Sequence, residues 1–119
     1  MEASEAARIA ARAAAEKQAQ DVVVLEMREL IYLTDFFVIG TGRSSRQVRT
    51  IADNVEEKLE AAGLRCRGRE GRQEGNWVLL DYGDVVVHVF TPEEREFYRL
   101  ENIWKDAPRL EWEEEAAAR

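Results

Sequence analysis

Between Asn76 and Phe90 two aliphatic, β-branched runs flank Asp81-Tyr82-Gly83-Asp84. Gly83 supplies the positive φ that a tight turn needs, so the stretch predicts an antiparallel hairpin. With the turn centred on Tyr82-Gly83, Asp81 faces Asp84, Leu79 faces Val86 and Trp77 faces His88. Moving that turn one place along the chain changes each partner by two residues, and side chains alternate with period two, so the faces survive. Val78, Leu80, Tyr82, Val85, Val87 and Val89 share one face, nearly all aliphatic. Trp77, Leu79, Asp81, Asp84, Val86, His88 and Phe90 share the other. The first face predicts a floor for helices. The second mixes large apolar groups with carboxylates and the chain's one histidine, a composition that suits a surface meeting a partner.

The remainder of the chain supplies the elements that such a hairpin needs. Residues 4–19 are Ala-rich with Ile9 as the one large aliphatic, which predicts a helix capped by Ser4 and peripheral to the core. The apolar run in Asp21–Met27 predicts a central strand buried on both sides, and Asp35–Gly40 a second buried strand. Leu30 to Thr34 is a short connection with room for a helical turn. Ser44 or Ser45 caps a helix reaching about Ala62, with Val48, Ile51, Ala52, Val55 and Leu59 on one face and Gly63 as its left-handed stop. Leu64 to Glu70 alternates Arg65, Arg67 and Arg69 with Leu64, Cys66 and Gly68, predicting a half-exposed strand. Thr91-Pro92-Glu93-Glu94 opens a last helix, carrying Phe97, Leu100 and Trp104 and stopping before Pro108. The tail from Arg109 is expected to fray apart from Trp112. This order predicts one α/β (α+β) domain, a mixed five-stranded sheet with flanking helices.

Composition narrows the function classes. At 119 residues with 45% hydrophobic residues, the chain can build a core without disulfides or metal. Its apolar runs are too short to cross a bilayer and no signal peptide is expected. Cys66 is the one cysteine, which excludes an intramolecular disulfide and fits a cytosolic location. A net charge of −7 argues against a surface devoted to nucleic acid. Residues 43–72 nonetheless carry eight Lys/Arg against five Asp/Glu. Arg43, Arg46, Arg49, Arg65, Arg67 and Arg69 are therefore candidates for contacts to RNA phosphates.

Two stretches invite a chemical reading. Gly40-Thr-Gly-Arg-Ser-Ser45 leads from a strand into a helix, where free N–H groups can hold an anion. Its spacing is not a dinucleotide fingerprint. The arrangement is similar to that of nucleotidyltransferases, but the following strand offers Arg65, Arg67 and Arg69 where those enzymes need metal-binding carboxylates. His88 with Asp81 or Asp84 could form a general base, yet no nucleophile accompanies them and one His builds no usual zinc site. No catalytic, cofactor or metal site is expected.

The runs LTDFFVIGTGRSSRQ (33–47), EGRQEGNWVLLDYGDVVVHVF (70–90) and REFY (95–98) resemble the ribosomal silencing factor family RsfS, also called Iojap-like. The resemblance reaches from about Ile9 to Asp106. It implies an Iojap-like domain over residues 1–108, related to nucleotidyltransferases without their catalytic acids, followed by an acidic tail over 109–119. It also implies a non-enzymatic, cytoplasmic repressor of translation acting when nutrients are scarce. Such a protein binds the large ribosomal subunit through its ribosomal protein fourteen, blocks joining of the small subunit and forms a homodimer when free. The partner-facing pattern falls on Trp77, Leu79, Asp81 and His88, with Tyr98 on the next helix. The chain departs from the pattern at Asn76, where an acid is common, in its Ala-rich first helix and in its acidic end. The alternative reading is a remnant nucleotide-binding protein using Gly40 to Ser45.

Overall fold

A computed structural model describes residues 1–31 and 33–113. In chain order the elements are α1 (Ala3–Glu16), β1 (Gln20–Glu26), β2 (Phe36–Thr41), α2 (Ser45–Ala61), β3 (Gly68–Glu70), β4 (Trp77–Asp81), β5 (Val85–Phe90), α3 (Pro92–Tyr98) and α4 (Leu100–Ile103). The strands form one mixed sheet in the order β1-β2-β5-β4-β3, with β2 and β5 parallel and the other neighbours antiparallel.

The hairpin forms with its turn one residue further along than expected. Leu79 pairs with His88, Asp81 with Val86 and Trp77 with Phe90, which replaces the expected Trp77–His88, Leu79–Val86 and Asp81–Asp84 pairs. The cause is local: Asp84 N–H donates to the Tyr82 carbonyl across Gly83 at 3.1 Å, and the Asp81 carboxylate accepts the Gly83 N–H at 2.8 Å. Gly83 has φ +86, the sign such a three-residue turn requires. The faces are as expected. Val78, Leu80, Tyr82, Val85, Val87 and Val89 all belong to the buried cluster beneath the two long helices.

The helix α2 starts where Ser44 accepts the Gln47 N–H at 3.1 Å, and Gly63 follows its end at φ +93. The helix α1 is not peripheral. Ala6, Ala7, Ala10, Ala11, Ala13 and Ala14 are all buried, because methyl groups let the helix sit close against α2 and the sheet. Buried Asn54 closes that seam, donating from Nδ2 to the Ala13 carbonyl at 2.8 Å and to Glu16 at 2.9 Å.

Three other expectations change. Buried on both sides as expected, β1 is nonetheless an edge strand of the sheet, and its outer rim is covered by the C-terminal segment: Glu26 N–H donates to Pro108 O at 2.8 Å and Leu110 N–H to Val24 O at 2.9 Å. Arg8 and Arg12 donate to the Glu111 and Trp112 carbonyls, and Trp112 Nε1 to Val22 O. Arg109 to Trp112 are thus docked rather than frayed; residues 114–119 lie outside the described residues. The strand expected over Leu64 to Glu70 shrinks to β3, because Gly68 already pairs with Asp81, the last residue of β4, and beyond it the chain has no ladder to join. The last helix breaks at Arg99, whose left-handed backbone (φ 48) separates α3 from α4. The break leaves Phe97 exposed, while Leu100 and Trp104 pack inward with Leu25, Met27, Ile39, Phe90 and Ala107 on the second face of the sheet.

Candidate functional site

Register arranges the second face in rows, because residues paired across strands point the same way. One row runs Leu25, Phe37, Val86, Asp81, Gly68 from β1 to β3. The next runs Val23, Ile39, His88, Leu79, Glu70. Burial falls away along both. Leu25, Ile39 and His88 are buried, Phe37, Val86, Leu79 and Asp81 are half-buried, and Glu70 is exposed. The α3–α4 segment covers the β1–β2 half and leaves a window over β4, with Phe37, Val86 and Leu79 as its apolar floor. Asp81, Glu70 and Asp84 supply its acidic rim.

An aromatic cluster bounds the window. Trp77 lies 4.9 Å from Phe90 and 4.6 Å from Tyr98 between ring centroids, and Phe37 meets the His88 ring edge-on at 4.6 Å. Trp77 Nε1 donates to His88 Nδ1 at 3.1 Å. The His88 proton therefore resides on Nε2, which is buried and has no hydrogen-bond partner among the described residues. Burial pushes the His88 pKa down to about 4, so the ring is neutral at physiological pH.

The sequence-selected residues thus separate into layers. Trp77, Leu79 and Asp81 line the window and Tyr98, 39% exposed, stands at its margin. His88, expected at the surface, lies beneath them at 4% exposure, because the α3–α4 roof and Trp77 close over it. No carboxylate hydrogen-bonds to His88 among the described residues. Asp81 is engaged with the Gly83 N–H and Asp84 is exposed in the turn, so no general-base pair is assembled. Sequence reasoning missed Phe37, whose place in the window depends on the parallel pairing of β2 with β5; its alternation with Val38 along β2 was the available signal.

The arginines do not make one patch. Arg43 and Arg46 are exposed at the start of α2, beside Gln47 and Thr50. Arg65 and Arg67 follow its far end, about 25 Å away at the helical rise per residue. Arg69 is ion-paired with Glu56, and Arg49 donates to the Gln73 carbonyl at 3.3 Å. In the glycine stretch, a Cβ on Gly42 would lie 2.8 Å from Val48 N. Close packing of loop on helix therefore accounts for that glycine. The described residues hold no group of three His, Cys, Asp or Glu side chains able to bind a metal. None of the described helices is long and apolar enough to cross a membrane.

Comparison with known proteins places these features in a wider group. The family described as "Ribosomal silencing factor during starvation" matches residues 1–119. The chain is 43% identical over 101 residues to ribosomal silencing factor RsfS of Bacillus subtilis, covering 85% of this chain and 86% of that protein. It is 39% identical over 101 residues to the chloroplastic protein Iojap of Zea mays, covering 85% of this chain and 44% of that protein. A crystal structure of a Chromobacterium violaceum protein, 39% identical, superposes with a TM-score of 0.86 over 88% of each chain.

Proposed function

This chain belongs to the ribosomal silencing factor family, and we propose that it represses translation in the cytoplasm by binding the large ribosomal subunit through the half-open window on its sheet. The partner is ribosomal protein fourteen of that subunit, and the bound protein blocks small-subunit docking by bulk rather than by catalysis. The observation that carries this reading is the window itself. Apolar Phe37, Leu79 and Val86 beside Trp77 and Tyr98, rimmed by Asp81 and Glu70, have the apolar centre and polar margin of a protein interface. His88 acts from underneath as a positioning residue, accepting the Trp77 indole N–H and so fixing that ring.

In the free protein the same window pairs two copies, so dimerisation and ribosome binding compete. Arg43 and Arg46, with no ion pair among the described residues, reach ribosomal RNA beside the protein contact, and Arg65 and Arg67 are a second group at the other end of α2. Arg49 and Arg69 contribute less, being held by Gln73 and Glu56.

Sedimentation with separated ribosomal subunits tests the reading. The protein should travel with the large subunit and keep added small subunits apart; absence from the large-subunit peak would end the proposal. Salt separates the RNA component. Binding to whole subunits should weaken more steeply with salt than binding to the isolated ribosomal protein, and Arg43→Ala with Arg46→Ala should reduce the slope by about two. Equal slopes would leave these arginines as solvated side chains.

A further inference from the structure

At the carboxyl ends of the parallel strands a cleft of about 490 Å³ opens between the start of β1, the end of β2 and the α3–α4 corner. Its walls include Asp21, Thr41, Arg95, Glu101 and Asn102. Arg95 is its anchor, 12% exposed, with Nη1 donating to Thr41 Oγ1 at 2.8 Å. Both of its contacts to Glu101 fall on one carboxylate oxygen: Nε at 2.9 Å and Nη2 at 2.8 Å reach Oε2. The other oxygen, Oε1, is buried and accepts no hydrogen bond among the described residues. A buried charged acceptor without a donor is unfavourable and calls for one.

The rest of the cleft says what kind of donor. Asp21 brings a second carboxylate, exposed and without an ion pair among the described residues. The other guanidinium on the wall, Arg99, turns back onto Glu96 and is spoken for. Asp21, Glu96 and Glu101 thus outnumber two guanidiniums that are both engaged, so the missing group is cationic. Asp21 (φ 51) and Arg99 (φ 48) are also two of the three non-glycine residues with left-handed backbone among the described residues. Such strain gathers at ligand clamps.

We propose that this cleft binds a small organic polyamine, whose ammonium groups donate to Glu101 Oε1 and to the Asp21 carboxylate. The volume suits a molecule of that size. Occupation would clamp the α3–α4 corner to the ends of β1 and β2, and through α3 steady Tyr98 at the edge of the window. The inference stands on the cleft alone and does not require the ribosomal reading.

Putrescine and spermidine titrated into isotopically labelled full-length protein test it by amide NMR, with NaCl and MgCl2 at matched ionic strength as controls. The expected result is saturable shifts grouped at Asp21, Thr41 and Asn102, with affinity reduced at least tenfold in Glu101→Gln and in Asp21→Asn. Asn tolerates the left-handed backbone, so Asp21→Asn removes charge without strain and decides the matter alone if Glu101→Gln releases Arg95 and unfolds. Shifts scattered over the acidic surface, shifts reproduced by Mg²⁺ or NaCl, or unchanged affinity in Asp21→Asn would each overturn the proposal.

Discussion

Val87 and His88 are neighbours in β5 and both are buried, yet they are buried by different means. Below the sheet, Val87 joins Leu80, Val78 and Val89 under two long helices that contribute Ala7, Ala10, Val48, Ile51 and Leu59. Above it, His88 lies under Trp77 and the α3–α4 corner, neither of whose helices contributes a buried residue. The first face is closed by aliphatic packing, which leaves no polar group to satisfy. The second is closed by a thin aromatic roof, with Nε2 of His88 unpartnered among the described residues. One face therefore stores stability, while the other holds a surface ready to meet a partner.

The largest expected effect belongs to the first face. Leu80→Ala removes a fully buried side chain and should lower stability by about 2–5 kcal/mol in denaturant melts, with binding lost only as the protein unfolds. Next comes acid. The folded His88 pKa, near 4, lies below the unfolded value of about 6.5. As pH falls the unfolded chain takes up the proton first, so stability is complete above about 6.5 and drains away down to pH 4, by about 3 kcal/mol in all. Asp53, whose carboxyl Arg72 holds below the usual range, loses its contribution only below that window. Urea midpoints between pH 7 and 4.5 should fall for the wild type and stay flatter for His88→Gln; parallel curves would show that the aromatic roof is open to protons.

Smaller effects sharpen the contrast. Trp77→Phe keeps a ring in the cluster but withdraws the donor from His88 Nδ1, at about 1–2 kcal/mol of stability. Trp77→Ala should in addition weaken large-subunit binding by at least about 2 kcal/mol, roughly thirtyfold. Leu79→Ala, in the open window, should cost under about 1 kcal/mol of stability while still impairing the block on subunit joining. If it unfolds as readily as Leu80→Ala and its folded fraction binds normally, the two faces have been exchanged. Asp81→Asn should be the mildest, within about 0.5 kcal/mol in melts, because Asn retains the acceptor for the Gly83 N–H.

Much of this architecture was legible beforehand, for local reasons. The alternation of Trp77 to Phe90 assigned both faces of the hairpin even though its register was off by one turn position, since alternation does not depend on where the turn falls. Ser44, Gly63 and the spacing of Val48 to Leu59 delimited α2. The signals failed where a residue's role depends on something far away in the chain. An alanine stripe looks weak until α2 and Asn54 are placed against it. β1 looks central because its flanks are apolar, but its outer rim is covered by Leu110, from the other end of the chain. Arg99 carries no hint of the left-handed backbone that splits the last helix. His88 read as a surface residue because its exposure was decided by a roof that sequence spacing does not draw.

What the sequence by itself determined is everything that follows from periodicity and local backbone chemistry: the elements, their caps, the two faces of the hairpin, and the long motif runs that carry the family. Tertiary structure alone decided which half of the second face stays open, that His88 sits beneath Trp77, and that Asp21, Thr41 and Glu101 share one cleft. The physical reason is range. Hydrogen-bonded turns and side-chain alternation act over a few residues, whereas burial, pKa and the partnering of a carboxylate oxygen depend on whichever groups packing brings within a few ångströms.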